Sequence, residues 1–168
     1  IVNPIRDDDL MHRVNVEGTR NVLQAAINVS VKRILTASSA TAMGGWPDNP
    51  VPMDDDWEPR AVTQYRYAHD KFTIEEMLGD FRRQHPDVRI SWTRPCIIYG
   101  PEIRNYLTQF ILNGPIIVLP AGNNTELQFV HLDDVAMASV RMLEAGVSGG
   151  FNLAPPDWVT LRDLGKLS

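Results

Sequence analysis

The sequence predicts an α/β fold, a parallel sheet whose strands are joined by helices. Two observations carry the prediction. Short β-rich apolar runs alternate with amphipathic helical stretches, and acidic residues stand where helices begin, at the positive end of the helix dipole. The composition agrees. The 168 residues are 43% hydrophobic and 22% charged, enough apolar material for a buried core and too much for a disordered tail.

Asp7, Asp8 and Asp9 precede a run in which Leu10, Val14, Gly18, Val22 and Ala25/Ala26 recur near helical spacing; this predicts a helix over 8–28. Val31 to Ala37 reads as a buried strand running into Ser38-Ser39. Residues 44–62 are loop, with Gly44-Gly45, four prolines and Asp54-Asp55-Asp56. Irregular stretches this long in a compact domain are more often functional than filler. A helix over 64–84 has Phe72, Ile74, Met77, Leu78 and Phe81 as its apolar side. Val88 to Thr93 is a strand stopped by Arg94-Pro95. There follow a short helix over 105–113 and strands at 116–120 and 128–131. A helix capped by Asp133-Asp134 runs to Glu144, a strand covers 151–154, and a last helix opens at Thr160. Joining parallel strands through helices requires right-handed crossovers.

Charge and cysteine content narrow the function. A net charge of −5 argues against nucleic acid and anionic membrane surfaces as partners. Cys96 is the single cysteine, which excludes an internal disulfide and a Cys-rich zinc site and fits a reducing cytoplasm. No apolar run approaches the ~18–20 residues that cross a bilayer. The chain opens Ile1-Val2-Asn3-Pro4, without a methionine or a signal peptide, and is expected to be a fragment.

Tyr67 and Lys71 stand four residues apart on the helix over 64–84, on one face. Tyrosine, with a reference pKa of ~10, is a poor base at neutral pH. An ammonium within about 4–6 Å favours its phenolate, the form that takes a proton from an alcohol. A solvated tyrosine and lysine is the plain alternative. Ser38-Ser39-Ala40-Thr41 lies at the C-terminal end of a strand, the sheet edge where ligands sit in such folds. A hydroxyl there can orient a substrate oxygen that Tyr67 also reaches. Without Tyr67, Ser39 would read as an ordinary turn or cap serine.

Five blocks now stand in order: Asn15-Val16-Glu17-Gly18-Thr19-Arg20-Asn21-Val22-Leu23, Ser38 to Thr41, Tyr67 to Lys71, Arg94-Pro95-Cys96-Ile97-Ile98-Tyr99-Gly100-Pro101, and Phe129-Val130-His131-Leu132-Asp133-Asp134-Val135-Ala136. Together they resemble the extended short-chain dehydrogenase/reductase family, of the NAD-dependent epimerase/dehydratase type. The resemblance implies a Rossmann-type parallel sheet, here its C-terminal portion (1–100 and 131–154), with part of a small substrate-binding lobe (101–130 and 155–168). It implies NAD or NADP as cofactor, Tyr67 as general acid/base, Lys71 as partner of Tyr67 and of the nicotinamide ribose, and Ser39 as the substrate-orienting hydroxyl. It also implies that Ala37, Ser38, Pro95 and Ile98 line the nicotinamide side, that Asn15 either touches the cofactor or only braces its helix, the second being favoured, and that the helices over 8–28 and 64–84 form a homodimer contact.

The departures are as informative. No G-x-G-x-x-G phosphate loop is present, since Gly44-Gly45 and Gly149-Gly150 lack the spacing. The resemblance places that loop before Asn15, in an expected upstream half of on the order of 80–100 residues. Ala40-Thr41 follow Ser39 where dehydratases of the family carry Asp-Glu, so sugar dehydration is not expected. Leu127 stands two residues before Phe129, where nucleotide-sugar epimerases place a diphosphate-binding arginine; Arg104 and Arg141 are the alternative cations. His12, His69, His85 and His131 lack metal-ligand spacing. His131 reads as a structural strand-end histidine and Cys96 as inert. Asp54-Asp55-Asp56 reads as a solvated turn, and Trp46 and Trp57 as loop packing or pocket wall. There is no G-x-S-x-G elbow. The expected activity is an NAD(P)-dependent oxidoreductase or epimerase acting on a secondary alcohol or ketone, with a small-molecule substrate such as a sugar or nucleotide sugar. The competing readings are a noncatalytic nucleotide sensor or scaffold on the same fold, which would usually lose the tyrosine or lysine, and an inactive truncated product.

Overall fold

The computed structural model describes residues 7–103 and 125–164. Asp7 caps the first helix, accepting a bond from the Leu10 N–H at 2.8 Å. Helix α1 (Asp8–His12) passes without a break through a π-helical turn (Arg13–Glu17) into α2 (Gly18–Asn28). One continuous rod therefore covers the predicted range, widened by a turn around Asn15. Thr19 Oγ1 donates to the Asn15 carbonyl at 2.6 Å, which supplies a partner where the wider turn disturbs the backbone ladder.

Strand β1 (Arg33–Ala37) ends at Ser38-Ser39, and a 3-10 turn (Ala40–Met43) follows. The irregular stretch leads to α3 (Arg66–Gln84), which buries Ile74, Met77, Leu78 and Phe81. Strand β2 (Arg89–Pro95) pairs in parallel with β1, Ile34 opposite Ile90. It also pairs in parallel with β6 (Gly149–Leu153), Trp92 opposite Gly150. The main sheet thus has the order β1-β2-β6, with Val16, Leu23, Leu78, Ile90 and Trp92 in the core between it and the helices.

β2 runs two residues further than expected. Proline lacks the N–H a ladder needs, but Pro95 is the strand's last residue, and the Cys96 N–H makes the next bond, to the Leu153 carbonyl. β3 (Ile97–Tyr99) pairs in parallel with β5 (Phe129–His131). A two-residue β4 (Glu126–Leu127), not foreseen, pairs antiparallel with β7 (Val159–Thr160). Helix α4 (Leu132–Ala145) is capped by His131, whose Nδ1 accepts from the Asp133 N–H at 3.2 Å; Asp133 and Asp134 occupy the first turn instead of the cap. A short α5 (Leu161–Leu164) follows. The helix expected over 105–113, the strand at 116–120 and Arg104 lie outside the described residues. No helix among the described residues is long and apolar enough to cross a membrane.

Candidate active site

Helix α3 delivers Tyr67 and Lys71 to the C-terminal end of β1. Lys71 Nζ donates to the Ala37 carbonyl at 2.7 Å and lies 5.7 Å from the centre of the Tyr67 ring. Burial pushes the Lys71 ammonium below its ordinary value, while the charges of Glu75 and Asp70 pull the other way. Ser39 stands two residues beyond Ala37 and caps the 3-10 turn, accepting from Thr41 N at 3.2 Å and Thr41 Oγ1 at 3.0 Å. With those donors aimed at its oxygen, the Ser39 hydroxyl is left to donate its own proton.

The other expected residues stand in different states: Ala37 and Pro95 end neighbouring strands of the main sheet, and Ile98 lies in the separate β3–β5 pair. Ala37 is exposed and Pro95 buried, while Ile98 is half-buried in β3 opposite Val130. Ser38 is buried and turns inward, its hydroxyl donating to Glu75 Oε1 at 2.5 Å. Asn15 sits in the π turn. Burial pushes the Cys96 thiol up to about 11, so it stays protonated at neutral pH, in keeping with an inert side chain.

The long loop is tied down. Trp46 Nε1 donates to the Arg60 carbonyl, and Arg60 makes paired bonds to Asp48 at 3.0 Å and lies over the Trp57 ring. The acidic run is more than a solvated turn. Asp55 Oδ1 accepts from the Asn152 N–H at 2.7 Å, so it holds the loop to the β6 edge.

The model of the NAD dependent epimerase/dehydratase family matches residues 3–154. The chain belongs to this family. A 4-epimerase of N-acetyl-α-D-glucosaminyl-diphospho-ditrans,octacis-undecaprenol from Escherichia coli O157:H7 is 34% identical over 128 residues, covering 71% of this chain and 37% of the relative. UDP-glucuronic acid decarboxylase 4 of Arabidopsis thaliana is 28% identical over 164 residues, covering 92% and 36%. The UDP-glucose 4-epimerase of Thermotoga maritima, solved with UDP-glucose, superposes with a TM-score of 0.82 at 23% identity, covering 97% of this chain and 54% of that one. The UDP-glucose 4-epimerase of Thermus thermophilus, solved with NAD, gives 0.77 at 23%, covering 95% and 54%. The shared fold is Rossmann-type. The chain spans a little over a third of these curated relatives and about half of these solved chains.

Within this family member, two cavities lie beside α3. A groove of about 930 Å³ runs past Asp55, Trp57, Glu76, Arg82, Arg94 and Gly150, and a hollow of about 430 Å³ lies under Trp46, Arg60, His69 and Phe72. Neither is lined by Ser39, Tyr67 or Lys71. Leu127 sits in β4 opposite Val159, and Arg141 is exposed on α4.

Sequence reading missed Glu75 and Arg94. Glu75 is four residues beyond Lys71, among the apolar positions of α3, and Arg94 ends an apolar strand. Two opposite charges on core-facing positions are the signal that pairs them. They meet at 2.8 Å, and both side chains are almost fully buried.

Proposed function

We propose that this chain supplies the catalytic half of an NAD(P)-dependent oxidoreductase or epimerase acting on a secondary alcohol or ketone of a sugar or nucleotide sugar. One observation carries the reading: a partly buried ammonium, pinned at the end of β1 to Ala37, two residues before Ser39 in the chain, lies 5.7 Å from the centre of the Tyr67 ring. An ammonium so placed favours the phenolate. Tyr67 then takes the proton from the substrate hydroxyl, or returns it to the ketone, while the Ser39 O–H holds the same oxygen. The bound nicotinamide ring would accept or return the hydride.

The donor set fits the ribose and nicotinamide end of that cofactor. The Lys71 ammonium has three N–H donors, of which Ala37 takes one, and the reading assigns Ala37, Ser38, Pro95 and Ile98 to the nicotinamide side. The pyrophosphate end needs a glycine-rich turn, which the reading places outside these 168 residues. The named substrates of the relatives support a sugar substrate. Ala40-Thr41 after Ser39 argue for epimerisation or oxidation and against dehydration.

The reading includes a homodimer. Leu10, Val14 and Val22 are exposed along one stripe of the first helical rod, Val22 at 68%, an apolar row suited to packing against a second copy.

The test is Tyr67→Phe in the full-length gene product. The expected kcat falls at least ~10²-fold with folding intact. An unchanged kcat refutes the assignment.

A further inference from the structure

Ala37, Ser38 and Ser39 follow one another at the C-terminal end of β1, and α3 holds the first two from successive turns. Lys71 binds the Ala37 carbonyl, and one turn on, Glu75 binds the Ser38 hydroxyl at 2.5 Å. Ser39 is the third. The Glu75 carboxylate is itself fixed from the other side. Its Oε2 accepts from Trp92 Nε1, Arg94 Nε and Arg94 Nη2, each at 2.8 Å. Arg94 Nη1 in turn donates to the Asp55 carbonyl at 2.8 Å, which ties in the loop. Glu75, Ser38 and Arg94 are each 4% exposed and Trp92 6%, so the cluster sits in a low-dielectric setting where its geometry is stiff.

The sheet is shaped to admit this cluster. Trp92 and Arg94 reach Glu75 across Gly150 on the neighbouring strand. A Cβ at Gly150 would stand 2.4 Å from Trp92 Nε1 and 2.7 Å from Arg94 Nη2.

We propose that Glu75 is a positioning residue: from the helix that carries Tyr67 and Lys71 it grips Ser38, with Arg94 as counter-ion, and so sets Ser39 in register with that pair. This rests on the active-site reading above. In this role Glu75 acts through Ser38 and not on the reacting atoms. Its effect passes through one peptide link, from Ser38 to Ser39.

The experiment compares four variants of the full-length gene product by steady-state kinetics and thermal melting. Tyr67→Phe gauges the active-site reading. Ser38→Ala leaves the Glu75–Arg94 pair intact but takes the donor from the buried Glu75 Oε1, so it is expected to lower the melting temperature modestly and, through Ser39, to lower kcat about tenfold with the cofactor KM little changed. Glu75→Gln leaves the Arg94 charge buried without its counter-ion and is expected to lower both kcat and the melting temperature. The double variant Glu75→Leu with Arg94→Met removes both charges, a replacement that often restores stability. Its melting temperature is expected to recover while kcat stays down at least about tenfold. If Ser38→Ala keeps the parent kcat, or if kcat recovers with melting temperature in the double variant, the cluster is structural only and the proposal fails. In that case Tyr67→Phe is still inactive. If Tyr67→Phe is active, the active-site reading falls and the positioning role falls with it.

Discussion

Gly150→Ala adds a single methyl group, yet the structure assigns it a large cost. The new Cβ would lie 2.4 Å from Trp92 Nε1, 2.7 Å from Arg94 Nη2 and 2.8 Å from Arg94 Cζ. Ordinary contact needs roughly 1 Å more, and the backbone of a paired strand gives little. Trp92 and Arg94 must therefore retreat from Glu75 Oε2, which they now reach at 2.8 Å. A retreat of about 1 Å takes both beyond hydrogen-bond distance. The result is a buried carboxylate and guanidinium without each other, a loss of about 3–5 kcal/mol. For a domain of this size that is roughly 6–20 °C in melting temperature. Gly45→Ala is the control, because nothing lies within 4 Å of its Cβ position, and it is expected to shift melting by no more than ~2 °C. Circular dichroism melts of the two variants against the parent decide the matter. If Gly150→Ala melts with Gly45→Ala, the Trp92–Arg94–Glu75 cluster is not held as described.

Lys71→Met is expected to abolish turnover yet to hold or raise stability at neutral pH. Burial puts the folded-state ammonium below its ordinary value of 10.5, so the unfolded chain holds that proton more tightly. The group therefore makes parent stability rise with pH between the lowered folded value and 10.5. Denaturant titrations across that window would show this rise in the parent and not in Lys71→Met; a parallel rise in both overturns the argument. Calorimetry on the 168-residue chain is expected to find NAD or NADP binding weak or absent, because no glycine-rich turn is there to hold the pyrophosphate; micromolar affinity would refute this. Val22→Asp places a charge in the exposed apolar stripe and is expected to shift the full-length protein from dimer to monomer in sedimentation; an unchanged dimer removes this face from the interface.

What the sequence made legible was local. The helix over 8–28, the helix ending at Gln84 and strand β1 follow from periodicity and capping, which neighbours in sequence decide. The Tyr67–Lys71 pair was equally legible, because i,i+4 spacing on a helix is itself a distance. Long-range partners were not. Glu75 meets Arg94 nineteen residues on and Ser38 thirty-seven residues back, and no period announces either. Asp55 looked like a solvated acid because its partner, Asn152, lies ninety-seven residues away. The π turn around Asn15 was also hidden, since one extra residue in a turn leaves the surrounding apolar spacing nearly intact.

The charges around Lys71 fit together once their partners are assigned. Two carboxylates on the same helix, Asp70 and Glu75, are buried beside it. Each is already engaged at short range. Asp70 Oδ1 meets His12 Nδ1 at 2.8 Å and Arg66 Nε at 3.1 Å, and Glu75 meets Arg94 at 2.8 Å. Lys71 makes no ion pair within 4 Å among the described residues; its close partner is the Ala37 carbonyl. The charges of the two acids favour the ammonium from a distance, and each acid has a guanidinium partner of its own. An ammonium locked to a carboxylate would have little field left for a phenolate. Here burial lowers the ammonium's pKa and the neighbouring acids partly offset that, while the ammonium stays 5.7 Å from the centre of the Tyr67 ring.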